Sequence, residues 1–577
     1  GSASASLAEL LRAKEAMTRY GFTAAELGIA SNSLVSDLRR MVQEKDRQES
    51  NGYVQSLTGY FLQGGNFADV EWELEAVQQL LPHIGAKDIN AAIKDYFSGG
   101  DLQVFIFAPD AERENLPDEA RIKQMIAESR KMKIAPPQSI TVEGDFLPVI
   151  PSRGSVLSES VDGETGAVIW ELSNGARVIL KSTANKNDEI VLQAMARGGT
   201  SSAAPNDDIS ASLAVEMMQV SGLGPWSRSE LTRMLAEKQV SFSYSVSHYY
   251  RGFRGSATSG DLKTLFEMLY LNFTDPRIDP VAVQAMMDQY ATSLALRSEN
   301  PRTAFSDEIN RTVYSGHPRF KPLELADLSQ ADIDTARAFL AKSLNPADYV
   351  FIFTGNLEIA PIKDYIETYL GSIPPGENWN AWTDLGIIRP GKVEKIVYKG
   401  KEEQSTVYMG WFSKSPYSEE LSAITQILSE YLEIRMDNEI REKLGGVYSI
   451  SVGVSISPVP QGELSMGVYF ACDPKRVQEL SSAGNNLLQQ TTRSIDRDIF
   501  GKSVEALKKG WEISMQSNAS IAQSYANSSV LLKLPLSRLN QRPRYYDAVS
   551  PADIQRICAQ LMQSNGPVQV VLLPERN

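Results

Sequence analysis

The chain has 577 residues, 42% of them hydrophobic and 22% charged, so it is long enough for roughly three or four domains of about 150 residues each. A net charge of −14 and a pI near 5.0 argue against nucleic acid or an anionic membrane surface as the main partner, because both are polyanions. No apolar run reaches the length of a membrane span, and no signal peptide opens the chain.

Cys472 and Cys558 are the only cysteines, so the sequence offers neither a disulfide framework nor a zinc site built from thiolates. The two form either one bridge or a pair of free buried thiols. Gly1 and Ser2 resemble a cloning remnant. We therefore expect the native N-terminus, with any targeting signal, to be absent from this sequence.

The first 130 residues are predicted to be mainly helical. Helical stripes of apolar residues run from Leu7 to Met17 and from Leu27 to Met41. Residues 84–93 form a further predicted helix, and the apolar run 102–109 is predicted to be a strand.

This succession of helix and strand occurs three times. Helices that begin near Asp88, Asp332 and Asp553 lead into predicted strands at 102–109, 349–355 and 568–574. The three aspartates lie 244 and 221 residues apart, which is far longer than a solenoid unit. The repeats are therefore copies of a whole domain.

Only the second and third copies open with predicted strands, at 168–181 and 188–196 in one and at 392–399 and 405–412 in the other. We expect the chain to begin in the middle of a domain, since the first copy lacks such strands. Prolines mark the joints between copies. The predicted division is a truncated copy at 1–130, a linker or hinge at 131–165, and two complete copies at 166–375 and 376–577.

One stretch of the last copy combines a helix, a glycine break and a strand. Apolar residues recur near every fourth position from Leu421 to Leu444, and Gly445 and Gly446 end that pattern. From 448 to 456 the even positions are apolar and the odd ones small or polar, which predicts a strand with one buried face. Arg441 and Tyr448 flank the break; taken alone, they are a helix-end cation and a core tyrosine.

This stretch resembles the arginine and tyrosine segment of pitrilysin-type zinc peptidases, the superfamily of insulin-degrading enzyme and pitrilysin. The residues 172–181 and 198–201 are similar to the opening of a domain of that family. The resemblance implies an α+β protein made of repeated pitrilysin-type α/β domains, each an antiparallel sheet covered by helices. It implies four such domains in two halves around a chamber, and this chain then holds the end of the second domain with the third and the fourth.

The zinc signature of the family, H-x-x-E-H, is not present in this chain. Two histidines four apart share one face of a helix in that signature, and the Glu between them is the general base. The only histidines here are His83, His248 and His317, and none lies within four residues of another. His317, before a proline, is read as a turn residue, and His248 as a loop histidine or a contact to peptide.

The helix of the second copy that resembles the signature helix is 213–217. Leu213 and Met217 occupy the ligand positions, and Glu216 alone remains. Glu216 is either a relic of the catalytic base or, as we favour, a charge on the helix surface. The absence of Glu from residues 268–298 also removes the expected third ligand.

The resemblance implies that the chain is the C-terminal half of a zinc-dependent metalloendopeptidase that hydrolyses peptides in a closed chamber. Arg441 and Tyr448 are the implied auxiliary catalytic and substrate-binding residues, which donate hydrogen bonds to the substrate carbonyl and its oxyanion. The implied partners are a peptide or protein substrate and a missing N-terminal catalytic half, which holds the zinc. This half alone is expected to bind no metal and to be inactive, and a periplasmic location is favoured over a cytoplasmic one.

Two alternatives stay open at this point. One is a naturally inactive pitrilysin-type subunit, and the other is a peptide-binding or structural module; either would pair with a separate catalytic chain.

Overall fold

The computed structural model describes residues 3–64, 68–98, 102–108, 110–136, 145–564 and 566–575. They fall into two compact units. Unit 1 comprises Gly1–Pro148 and Glu230–Gln239, and unit 2 comprises Val149–Ser229 and Val240–Asn577.

Unit 1 is helical. Its helices are α1 (Ala3–Tyr20), α2 (Ala24–Gln43), α3 (Ser50–Gln63), α4 (Val70–Leu80), α5 (Ala86–Ser98) and α6 (Glu119–Ser129). Thr23 and Glu26 form a capping box that fixes the start of α2, because each side chain bonds the other residue's backbone N–H. A small core joins α1 to α6, where Leu7 and Leu11 pack on Met125.

The strand predicted at 102–109 is wrong for residues 102–108, and Pro109 lies outside the described residues. The segment has no regular secondary structure; Val104 packs on the core of α1 and α6, but Phe105 and Phe107 are 75% and 95% exposed. A strand exists only where another strand accepts its hydrogen bonds. The described part of unit 1 contains no other strand, so the segment has no partner there.

Unit 2 contains two sheets. The strands of the first are β1 (Val156–Val161), β2 (Val168–Leu172), β3 (Arg177–Ser182), β4 (Ile190–Arg197), β5 (Val240–Val246), β6 (Tyr250–Ala257) and β7 (Val350–Gly355). Those of the second are β8 (Val393–Tyr398), β9 (Ser405–Lys414), β10 (Val447–Ser457), β11 (Glu463–Cys472) and β12 (Val568–Leu573). The strand β1 lies within the predicted linker 131–165 and pairs with β2.

The remaining helices belong to unit 2, except that the helix from Arg228 to Met234 enters unit 1 at Glu230. They are α7 (Asp208–Ser221), α8 (Arg228–Met234), α9 (Leu262–Thr274), α10 (Pro280–Arg297), α11 (Pro301–Val313), α12 (Ile333–Ser343), α13 (Ile359–Tyr365), α14 (Glu419–Met436), α15 (Val477–Thr491), α16 (Arg497–Met515), α17 (Asn518–Ala526), α18 (Arg538–Ala548) and α19 (Pro551–Gln563). Wider π-helical turns continue α13, α14 and α17, at Ile366–Leu370, Asp437–Lys443 and Asn527–Leu532. Among the helices of the described ranges, none has both the length and the apolar character that crossing a membrane would demand.

The two sheets share one topology. The first has the order β1-β2-β3-β7-β4-β6-β5 and the second the order β10-β11-β9-β12-β8. When β1 and β2 are left out, the strands of the first sheet follow the same order as those of the second sheet counted from its opposite edge. Each sheet has one parallel pair, β3 with β7 in the first and β8 with β12 in the second. All other pairs are antiparallel. The predicted α+β fold of repeated domains is therefore confirmed.

One edge strand of each sheet, β10 in the second and β5 in the first, is protected by a side chain from a neighbouring helix. Ser429 of α14 donates to the Val452 carbonyl at 3.1 Å and accepts from the Val454 N–H at 3.2 Å. Gln219 of α7 donates to the Tyr244 carbonyl of β5 at 3.2 Å. Such contacts satisfy edge groups that would otherwise recruit a further strand.

Each repeat covers a sheet face of the other. Ile521 and Tyr525 of α17 pack against Ile179 and Ile352 of the first sheet. In return, Phe305 of α11 packs on the second sheet at β12. Each buried side chain of this kind contributes about 1.5 to 3 kcal/mol, so the two repeats stabilise one another.

The two cysteines are both free and buried. Burial raises the pKa of Cys472 to about 11 and that of Cys558 to about 12. Because the thiolate is the reactive form, we expect neither to react with dithionitrobenzoate at pH 8 in the folded chain, and both to react in guanidinium chloride. Rapid labelling of the folded chain would contradict this arrangement.

Candidate functional site

The stretch with Arg441 and Tyr448 folds as a helix, a glycine break and a strand. Ser418 caps α14 by accepting a hydrogen bond from the Leu421 N–H at 3.1 Å. The helix continues in π-helical turns to 443 and ends at Gly445, whose φ of +56° is a left-handed conformation that favours glycine. The strand β10 then begins at Val447. The predicted order of elements is confirmed.

Arg441 lies in the π-helical segment at the surface. Its side chain is 49% exposed, and its guanidinium donates to the Asp437 carboxylate at 3.0 Å. An exposed ion pair between residues four apart is weak, because water competes for both charges. The guanidinium can therefore exchange this carboxylate for another acceptor at little cost.

Tyr448 lies where the pairing of β10 with β11 is irregular. Val447 pairs with Cys472 and Ile450 with Phe470, so β10 carries one extra residue between these pairs. A bulge of this kind interrupts the alternation of faces and is common beside active sites. Ile450 is buried, and the side chain of Tyr448 lies outside the described residues.

The helix that resembles the zinc signature carries no metal site. Leu213 and Met217, at the two ligand positions, are 5% and 0% exposed in the core. Leu carries no ligand atom and Met only a weak one, so these residues do not fit zinc. Within the part of the chain that the structure describes, no three His, Cys, Asp or Glu side chains form a group that could hold a metal ion.

Glu216 is more than a charge on the helix surface, which corrects the favoured interpretation. It is half-buried, and its carboxylate accepts a hydrogen bond from the Tyr290 hydroxyl of α10. Burial and this carboxylate raise the pKa of Tyr290 to about 12. Glu216 therefore joins α7 to α10.

The three histidines do not form a site together. His83 is exposed in unit 1. In unit 2, His317 accepts from the Arg319 N–H at 3.3 Å and thereby starts a short turn, as predicted for a turn residue. The His248 ring lies 4.4 Å from the Phe320 ring and its Nδ1 lies 2.8 Å from the Thr200 hydroxyl. Burial lowers the pKa of His248, and Arg319 and His317 lower it further.

The glycine pair at 198 and 199 holds the loop that carries His248. The Gly198 N–H donates to the Tyr249 carbonyl at 2.9 Å, and the Thr200 N–H donates to the Ser247 carbonyl at 3.0 Å. A Cβ atom on Gly199 would lie 2.0 Å from the Ser247 carbonyl oxygen, so only glycine allows this approach. Sequence reasoning noted these glycines but gave no sign of the loop on which they pack.

Known proteins support the resemblance. Residues 330–507 match the family model described as the peptidase M16 inactive domain. A zinc protease PQQL-like protein of Arabidopsis thaliana is 22% identical over 79% of this chain and 47% of its own length. A probable zinc protease PqqL of Escherichia coli is 25% identical over 68% of this chain and 42% of its own length.

The fold agrees with these matches. The crystal structure of the periplasmic protease PqqL from Escherichia coli superposes with a TM-score of 0.66 at 20% identity, covering 99% of this chain and 63% of that one. The chain spans less than half the length of the two curated relatives. The chain is thus similar to PqqL-like zinc proteases over much of its length, and its residues 330–507 match the inactive domain of the peptidase M16 family.

Proposed function

We propose that this chain is the C-terminal half of a zinc-dependent metalloendopeptidase, and that it binds and orients the peptide while another half holds the zinc. The observation that carries the proposal is α7, where Leu213 and Met217 occupy the ligand positions as buried core residues. The relatives are named zinc proteases and are more than twice as long as the part that this chain spans. The rest of such a protein is where we place the metal.

The role proposed for Arg441 and Tyr448 is donation to the substrate carbonyl. A guanidinium and a phenol both donate hydrogen bonds to an oxygen that becomes negative in the transition state. The weak ion pair of Arg441 with Asp437 supports this role, because the guanidinium can exchange that carboxylate for a substrate oxygen, and the backbone of Tyr448 lies in the bulge of β10. The zinc, when bound in the other half, would activate the attacking water.

The segment 102–108 supports a partner within the same protein. Phe105 and Phe107 are exposed on a segment with which no strand of the described residues pairs. Strands from the other half would pair with it and cover these rings. By analogy with the periplasmic relative, we also propose a periplasmic location.

Metal analysis and a cleavage assay test the proposal together. We expect the full-length protein to hold stoichiometric zinc and to cleave a quenched fluorescent peptide, and a chelator to abolish the cleavage. The chain of 577 residues alone should show neither property. Addition of this chain to a separately produced N-terminal half should restore cleavage.

Two outcomes would contradict the proposal. Stoichiometric zinc in this chain alone would show that the metal site lies in this half and not in the N-terminal one. A full-length protein that binds peptide but holds no zinc would instead favour the inactive subunit or binding module.

A further inference from the structure

A cavity of about 670 Å³ lies where the two repeats of unit 2 meet. Its walls come from the loop before β6, from the end of α11, from residues 384–389 and from β9 and β11. Six aromatic rings line it: Tyr249, Tyr250, Tyr314, Phe320, Tyr408 and Phe412. A volume and lining of this kind are typical of ligand pockets.

The Tyr249 hydroxyl in this wall has no partner. The residue is only 9% exposed, and its hydroxyl is buried without a hydrogen bond in the described structure. Its backbone is fixed, because the Gly198 N–H binds the Tyr249 carbonyl. Burial raises the pKa of Tyr249 to about 12, with a further contribution from Asp384, so the hydroxyl remains a donor at neutral pH. A buried donor without an acceptor is costly, and a small movement of the ring toward the cavity would let a ligand oxygen satisfy it.

The lining has four charged side chains, three of which bind neighbouring groups of the protein. Arg389 binds both oxygens of Glu463, at 3.0 and 2.6 Å, and lies 4.5 Å from the rings of Tyr314 and Phe412. Asp384 accepts from the Gly386 N–H at 3.0 Å and from the Gln461 amide. The fourth charged residue of the lining is Lys414, so two positive and two negative side chains face the cavity and their charges sum to zero. A lining without net charge favours a neutral ligand with an aromatic surface over a phosphate or a carboxylate.

We propose that this cavity binds a stretch of substrate polypeptide, with an aromatic side chain against its rings and a backbone carbonyl that accepts a hydrogen bond from the Tyr249 hydroxyl. The inference rests on the proposed function, since it takes the ligand to be a peptide. A second cavity, of about 1060 Å³, shares Tyr250, Ser457 and Val459 with the first. The polypeptide therefore has room to continue beyond the first cavity.

Calorimetric titration of the purified chain with acetyl-Ala-Trp-Ala-amide tests the site. We expect binding by the natural chain and about a 2- to 10-fold loss of affinity in Tyr249→Phe, which removes only the donor. The melting temperature of that variant should be unchanged or higher, because it loses a buried hydroxyl that lacks a partner in the free protein. Tyr365→Phe, in α13 outside both cavities, is the matched control and should change neither value.

Several outcomes would overturn the site. They are equal affinity in Tyr249→Phe, no binding by the natural chain, or equally tight binding of acetyl-Ala-Lys-Ala-amide or of indole alone. A role of Tyr249 only in folding would lower the melting temperature instead. The titration uses no zinc and no turnover, so it can fail while the cleavage assay succeeds, and the two proposals stay distinguishable.

Discussion

Replacement of Arg441 by alanine in the full-length protein is expected to lower kcat about 100- to 1000-fold, the usual effect of removing one donor to a developing oxyanion. Zinc content should not change, because Arg441 is exposed and lies in a chain without a metal group among its described residues. Tyr448→Phe should also lower kcat, because it removes the other proposed donor. Turnover of a quenched fluorescent peptide and metal analysis measure the two quantities.

Lys443→Ala is the matched control for Arg441→Ala. Lys443 lies in the same π-helical segment and forms the same kind of exposed ion pair, with Glu439 at 2.7 Å. Loss of a surface cation there should leave kcat within about twofold of the natural value. If Lys443→Ala lowers kcat as much as Arg441→Ala does, the loss results from removing a surface charge and not from a missing donor. Unaltered turnover in both Arg441→Ala and Tyr448→Phe would reject the assigned roles.

Arg251→Ala is expected to have the largest effect on stability, about 3 to 5 kcal/mol, because it leaves a buried carboxylate without its counterion. Arg251 and Asp348 are both 0% exposed and lie 2.7 Å apart. Arg251 also donates to the Ser343 carbonyl at 2.8 Å, and its guanidinium lies 4.8 Å from the Trp379 ring. Urea unfolding followed by tryptophan fluorescence measures the loss.

Arg254→Ala is the control on the same strand. Arg254 is exposed and bonds two glutamine side chains, Gln193 and Gln523. Its loss should cost less than about 1 kcal/mol, as is usual for surface substitutions. A similar loss of unfolding free energy in both variants would show that the buried ion pair contributes no more to stability than a surface arginine.

Most of the second and third copies could be predicted from the sequence, because each of their strands alternates or forms a short apolar run. In β10, Ile450 and Val452 are buried as the period of two requires. The strand at 102–108 was wrong for a physical reason: local pattern shows that a segment can be a strand, but only a neighbouring strand makes it one. The strand β1 was not predicted, because most of its residues are exposed and it therefore shows no alternation of apolar and polar residues.

The sequence predicts the order of helix, glycine break and strand at the candidate site, but not the contacts of its side chains. The glycine break placed Arg441 and Tyr448 on either side of the junction, yet the bulge in β10 depends on the register with β11. Contacts between distant residues, such as Glu216 with Tyr290, leave no periodic signal in the sequence. The buried Arg251 was missed for the same reason, since its partner Asp348 is 97 residues away.

The exchange of helices between the two repeats affects how this protein can change over time. The ring of Phe305 fits a sheet whose residues Val570 and Leu572 are encoded at the far end of the chain. A substitution on either side alters a contact with the other copy, so the stabilities of the two copies are coupled. A polypeptide that ends at residue 375 would therefore expose the surface that Ile521 covers, and it would tend to associate with a second copy of itself.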